Sequence, residues 1–166
     1  MPFSIRAAAP DDAATILRFI RELAAFERAE HEVEATEETI RSSIFGPGAV
    51  THALICEVDG RPAGFAVWFY NYSTWQARKG LYLEDLYVTP EFRGTGAGKR
   101  ILRRLAEIAV EEGCGRFEWS VLDWNEPAIR VYRSIGAEPQ EEWVRYRLCG
   151  KALADFAAGR SEPVPA

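Results

Sequence analysis

The stretch from Leu81 to Gly98, LYLEDLYVTPEFRGTGAG, constrains the chain more than any other, because it runs an alternating strand into a glycine-rich turn that opens a helix. Gly94, Gly96 and Gly98 remove side chains at alternate positions, so consecutive backbone N–H groups can close on an anion such as a phosphate. The segment Lys99 to Glu112 follows at once, and a helix N-terminus adds unpaired donors and the positive end of its dipole. A P-loop requires Lys then Ser or Thr after the last glycine, but Lys99 is followed by Arg100. A dinucleotide fingerprint places its third glycine three residues after the second, whereas Gly96 and Gly98 are two apart. What remains is Arg93 followed by Gly96 and Gly98, between a strand and an amphipathic helix.

A length of 166 residues, 48% hydrophobic and 27% charged, suits one globular domain with a full core, expected over 3–158 with a disordered tail over 159–166. The net charge of −5 argues against nucleic-acid and membrane surfaces and favours a cationic partner. Cys56, Cys114 and Cys149 are odd in number and widely spaced, which suggests neither a disulfide framework nor a metal site. The N-terminus has no leader pattern, and no apolar run approaches a membrane span, so a cytoplasmic protein is expected.

Along the chain, Phe3 to Ala7 reads as a strand, and Pro10, Asp11 and Asp12 open a helix that ends near Phe26. The acid-rich segment Glu27 to Glu38 is either a solvated linker or an electrostatic mouth for an amine. Thr36 caps a second helix to Phe45, and His52 to Val58 and Ala63 to Tyr72 form a hairpin through Asp59 and Gly60. Strict alternation in Leu81 to Val88 puts Leu81, Leu83, Asp85 and Tyr87 on one face and Tyr82, Glu84, Leu86 and Val88 on the other. A carboxylate in an apolar strand is costly unless paired or solvated, which singles out Glu84 and Asp85. Asp85, pointing the opposite way, reads as structural. The helix after the turn keeps Ile101, Leu102, Leu105, Ile108 and Ala109 on its core stripe. Arg116 to Leu122 is a further strand, Asn125 and Pro127 open a helix, Trp143 to Cys149 is a last strand and Lys151 to Ala158 a terminal helix. Alternating helices and strands around a hairpin make an α/β or α+β domain with a mixed, mostly antiparallel sheet.

The turn RGTGAG followed by DWNEPAIRVYRSIGA, Asp123 to Ala137, resembles the two cofactor motifs of the GNAT superfamily of N-acetyltransferases. The helix ending RELAAFE and the strand LYLEDLYV bring the resemblance closer to the diamine (spermidine/spermine-type) and thialysine acetyltransferase branch, from Ile5 to about Phe156. The resemblance implies acetyl-CoA as co-substrate, no metal, direct transfer to the primary amine of a small cationic acceptor, and a homodimer. It implies that Leu86, Tyr87 and Val88 meet the pantetheine arm and that Arg93, Gly94, Thr95, Gly96, Ala97, Gly98 and Lys99 hold the pyrophosphate. Asn125, Pro127 and Ala128 complete the cofactor site; Tyr132 is the general acid. Phe26, Glu27, Glu84, Trp75 and Glu142 meet the acceptor, with Glu84 as base, water-orienting group or cation ligand. Ser73 and Thr74 precede Trp75 where the polyamine enzymes carry Asp, His31 stands where a further acid is common, and the acidic piece Glu138 to Glu142 is short. A long polycation needs several spaced carboxylates, so these departures shift the choice toward a shorter amine, with a diamine or polyamine and a lysine-like amine both kept as acceptors. A protein amine acetyltransferase and an idle acyl-CoA-binding regulatory domain are the alternatives.

Overall fold

The structure, a computed structural model, describes residues 2–160, and the chain divides into two compact units, 1–129 and 130–166. The first unit holds a five-stranded sheet in the order β1-β2-β3-β4-β5, made of Phe3–Ala7, His52–Val58, Arg61–Ser73, Arg78–Val88 and Phe117–Trp119. The first four strands are antiparallel in sequence order, and β5 pairs parallel to β4. The mixed, mostly antiparallel α/β sheet read from the sequence is therefore present. Its β2–β3 turn is the expected one: Val58 pairs with Arg61, and Asp59 and Gly60 both have positive φ, 51° and 75°.

Helix α1, Ala13–Phe26, buries Ala13, Ile16, Leu17 and Phe19 against one face of the sheet. Its entry is set by Asp12, whose carboxylate accepts from the Ala9 N–H at 2.7 Å and from the Arg6 guanidinium at 2.7 Å. Helix α2, Glu37–Phe45, is capped by Thr36, whose hydroxyl accepts from the Thr39 N–H, and adds Ile40 to the same core. Phe19 stacks on Phe65 at 5.5 Å and faces Tyr87 at 6.1 Å, so the core runs under β3 and β4. Each such fully buried side chain contributes about 1.5–3 kcal/mol. Helix α3, Ala97–Glu111, presents the expected stripe of Ile101, Leu102, Leu105 and Ala109 as its buried side and forms the crossover to β5.

Three expectations are corrected. Register partners run from Val67 with Asp85 directly to Trp68 with Leu83, so Glu84 is an extra residue in a β-bulge. Because cross-strand partners share a face, Asp85 and Tyr87 lie with Val67 and Phe65 toward α1, whereas Leu81 and Leu83 lie on the opposite face with Trp68. Strict alternation fails because one inserted residue reverses every later side chain. The strand Arg116 to Leu122 shortens to Phe117–Trp119, since β4 supplies pairing only from Leu81 to Leu83. In the second unit, Trp143 to Cys149 is not a strand. Alternation specifies a strand only where another edge supplies its hydrogen bonds, and Trp143, Val144 and Tyr146 instead stand exposed.

That unit begins within α4, Glu126–Ser134, and contains α5, Gly150–Ala157, close to the expected terminal helix. Residues 161–166, most of the expected tail, lie outside the described residues. Among those described, no helix is long and apolar enough to cross a membrane.

Candidate active site

The glycine turn is built by backbone conformation before any ligand is considered. Gly94 and Gly96 have φ of 77° and 88°, the left-handed region where a side chain is strained. Gly98 differs: it lies in the first turn of α3, and a Cβ there would meet only Val88 Cγ2 at 3.8 Å and Leu86 Cδ2 at 4.0 Å, both ordinary contacts. Nothing in the protein forbids alanine, which would favour the helix, so this missing side chain leaves room for something outside the chain. Gly96 starts α3, its carbonyl accepting from the Arg100 N–H at 3.0 Å, and no side chain caps the helix. The first-turn N–H groups of Ala97 to Lys99 thus face a ligand position. Beside Thr95 and Gly96 a groove of about 570 Å³ is lined by Lys99, Arg100, Arg103 and Arg104 together with Glu107 and with Phe3 and Ile5 of β1, so it lies on the β1 side of α3, and Arg104 is already paired with Glu107 and Glu111. The residues present fit acetyl-CoA, with the turn and α3 suited to its phosphates.

The sheet prepares a second part of the cradle. The parallel ladder ends at Leu83 with Trp119, one residue before the bulge. Beyond it, Asp85 to Val88 pair with β3 alone among the described strands, so the β5 side of this backbone is open to an extended amide-bearing arm. The Tyr82 hydroxyl and Ser120 Oγ, 2.9 Å apart, tie the strands where they part.

Acidic groups gather on the α1 side. Burial pushes the Asp85 carboxyl up to about 6, and the nearby charges of Glu84 and Glu27 push it the same way. Burial also raises Glu27, the residue that ends α1. Glu84 itself is exposed at the bulge. The enclosure expected of Glu84 therefore belongs to Asp85, the acid the alternation marked as structural. Phe26, half-exposed beside Glu27, packs on Trp124 at 5.8 Å, and the Arg28 guanidinium lies 5.1 Å from the Trp124 ring.

The structure thus brings together Phe26, Glu27, Glu84 and Asp85 with the open edge at Leu86 to Val88 and the turn from Arg93. It does not bring Trp75 to them. That residue is 91% exposed on the β3–β4 hairpin tip, and the run 78–84 of β4 separates it from Asp85 by about 23 Å of strand. Asn125 begins α4, its Oδ1 accepting from the Ala128 N–H at 3.4 Å, so its side chain serves as a helix cap. Tyr132 and Glu142 belong to the second unit: Tyr132 stands on α4 two turns beyond Asn125, and Glu142 is exposed. Sequence reasoning did not foresee Trp124 and Arg28; an aromatic immediately before Asn125 was the available signal. No group of three His, Cys, Asp or Glu among the described residues is arranged to hold a metal ion.

Comparison with known proteins bears on the family and the fold. The family model described as "Acetyltransferase (GNAT) family" matches residues 16–137. Thialysine N-epsilon-acetyltransferase of Mus musculus is 38% identical over 164 residues, covering 92% of this chain and 96% of the mouse protein. L-ornithine N5-acetyltransferase NATA1 of Arabidopsis thaliana is 31% identical, covering 90% and 85%. Among solved structures, an integron cassette protein from the mobile metagenome of V. cholerae superposes with a TM-score of 0.79 at 24% identity, covering 95% of this chain and 98% of that one. Carrying the family's turn on the family's fold, the chain belongs to the acetyltransferase (GNAT) family and is an N-acetyltransferase of the acetyl-CoA-dependent kind.

Proposed function

We propose that the protein moves an acetyl group directly from acetyl-CoA to the primary amine of a small, lysine-like cationic acceptor. The observation that carries this reading is the enclosed carboxyl of Asp85, grouped with Glu27 and Glu84 beside the open edge of β4. Such a group attracts an ammonium, and a cation placed there favours the ionised form of Asp85 that burial disfavours. The names of the mouse and Arabidopsis relatives, which specify thialysine and ornithine, support a short amino-acid-like amine over a long polyamine. Diamines of similar length belong to the same class.

Bound acetyl-CoA supplies an acyl group activated as a thioester. The acceptor reaches the site as an ammonium and must lose a proton before it attacks. Asp85 Oδ, with an affinity for protons near that of a general base working at neutral pH, receives that proton directly or through one water. Glu27 and Glu84 hold the remaining charge of the acceptor. A backbone N–H near Leu86, on the open edge, donates to the developing oxyanion. Tyr132 Oη returns a proton to the departing sulfur. The chain is further read as a cytoplasmic homodimer; light scattering tests the second part.

The decisive experiment is thiol release from acetyl-CoA with thialysine, lysine, ornithine, putrescine, spermidine, an aminoglycoside and a lysine-bearing peptide. Turnover is expected to be highest with the first three. Preference for the peptide would make the protein a peptide amine acetyltransferase, and acetyl-CoA binding without turnover of any amine would make it an idle binding domain.

A further inference from the structure

The backbone of the turn supplies N–H donors for a pyrophosphate, while the side chain of Arg93 takes a course of its own. Though exposed, it folds back along the chain. Its Nε donates to the Val88 carbonyl at 3.1 Å, and its guanidinium carbon lies 5.2 Å from the Phe26 ring and 5.4 Å from the Tyr87 ring. Phe26 in turn meets Trp124, and Trp124 meets Arg28. The contacts form one line, Arg93–Phe26–Trp124–Arg28, that starts in the glycine turn and reaches the residue preceding Asn125. Its second member adjoins Glu27, and Tyr87 follows Asp85 by two residues on the same face of β4.

The end of α1 is a left-handed cap: Arg28, with φ of 60°, donates its N–H to the Ala25 carbonyl at 3.2 Å, and the Ala29 N–H donates to the Ala24 carbonyl at 2.8 Å. Phe26 and Trp124 pack beside that cap, with the Arg28 guanidinium on the Trp124 ring. A guanidinium over two rings is directional, because its plane must address both faces while Nε keeps its carbonyl.

Building on the proposed reaction, we propose that Arg93 is a positioning residue that couples the cofactor turn to the acceptor site. Its guanidinium holds Phe26, and through it Glu27, opposite Asp85, so the acceptor binds more tightly once the turn is fixed by acetyl-CoA. The coupling is reciprocal by linkage. An Arg93 that served only the cofactor would act on acetyl-CoA affinity alone, and one that served only stability would act on neither Michaelis constant.

The test uses the full chain with thialysine as acceptor and compares wild type, Arg93→Gln, Phe26→Leu and the double variant. Glutamine keeps a planar donor for the Val88 carbonyl and removes the cation. Arg93→Gln is expected to raise the thialysine KM at saturating acetyl-CoA about five- to tenfold, with the acetyl-CoA dissociation constant measured without acceptor within about twofold of wild type. The double variant is expected to match Phe26→Leu, because both changes break the same line. Saturating CoA is expected to tighten calorimetric binding of thialysine in wild type and to do so less in Arg93→Gln. An acetyl-CoA dissociation constant, measured without acceptor, that rises as much as the thialysine KM, an unchanged thialysine KM, or additive effects in the double variant would overturn the proposal. Should Arg93→Gln not fold, Arg93→Lys is read by the same ratio of thialysine KM to acceptor-free acetyl-CoA dissociation constant. Wild type inactive with every amine overturns the proposed reaction and this inference with it. An active wild type with an unaltered ratio in Arg93→Gln overturns the inference alone.

Discussion

Replacing Asp85 with asparagine should make the free protein more stable while it disables the enzyme, and the two effects should part with pH. Burial and the neighbouring Glu84 and Glu27 move the Asp85 carboxyl from an ordinary 3.8 to about 6. At 1.36 kcal/mol per pH unit, the ionised side chain costs the folded state about 3 kcal/mol at pH 7. The sign follows from proton uptake: between pH 4 and 6 the folded protein binds the proton that the unfolded chain releases, so stability falls as pH rises through that window. Above pH 6 the penalty is fully present; below pH 4 it is absent. An asparagine side chain carries no charge at any pH, so Asp85→Asn should gain about 2–3 kcal/mol at pH 7, a rise of about 5–10 °C in Tm, and little at pH 4. Urea unfolding of the ligand-free protein at both pH values measures the first effect, and thiol release with thialysine the second, where kcat/KM should drop at least about a hundredfold. Equal stability changes at pH 4 and pH 7, or full activity in the variant, would refute the reasoning.

The general-acid role makes Tyr132→Phe lose about ten- to a thousandfold in kcat with the acetyl-CoA KM unchanged, measured by steady-state kinetics. Gly98→Ala separates helix propensity from ligand space: the variant should gain about 0.5–1 kcal/mol in urea unfolding, because its Cβ meets only ordinary contacts, while the acetyl-CoA KM rises about tenfold. Asp12→Ala removes the acceptor that fixes the entry of α1 and should cost about 1 kcal/mol at pH 7. The Arg6 guanidinium holds the Asp12 carboxyl below its usual range, so that contribution is present at neutral pH and declines as pH falls below about 4; unfolding curves at pH 7 and pH 3 should show the difference between wild type and variant shrink.

What was legible in the sequence is what local chemistry determines. Gly94 and Gly96 need positive φ, Asp59 and Gly60 make a two-residue hairpin, and the stripe of α3 faces its core; each follows from residues close in the chain. The glycine turn and the start of α3 were readable for that reason. The acceptor side was not, because it depends on pairing between distant segments. LYLEDLYV alternates without interruption, and only its register against β3 shows that Glu84 is the inserted residue and Asp85 the enclosed acid. Trp75 stands apart from Asp85 for a related reason: it follows the aromatic run of β3 in sequence, but a long hairpin carries it to the tip. Trp143 to Cys149 has the composition of a strand, and a strand also requires a partner edge.

The bulge at Glu84 makes β4 two short strands in series with separate obligations. Before it, Leu81 and Leu83 are tied to the face shared with Trp68 and to the ladder with β5; after it, Asp85 and Tyr87 answer to α1. On the proposed function, substitutions at position 84 can therefore retune which amine is held without disturbing the packing that seats the upstream half. In the same way, loss of the single inserted residue would exchange the two faces of the downstream half at once. Divergence of acceptor choice within such a scaffold is thus open to point substitution and closed to deletion at this position.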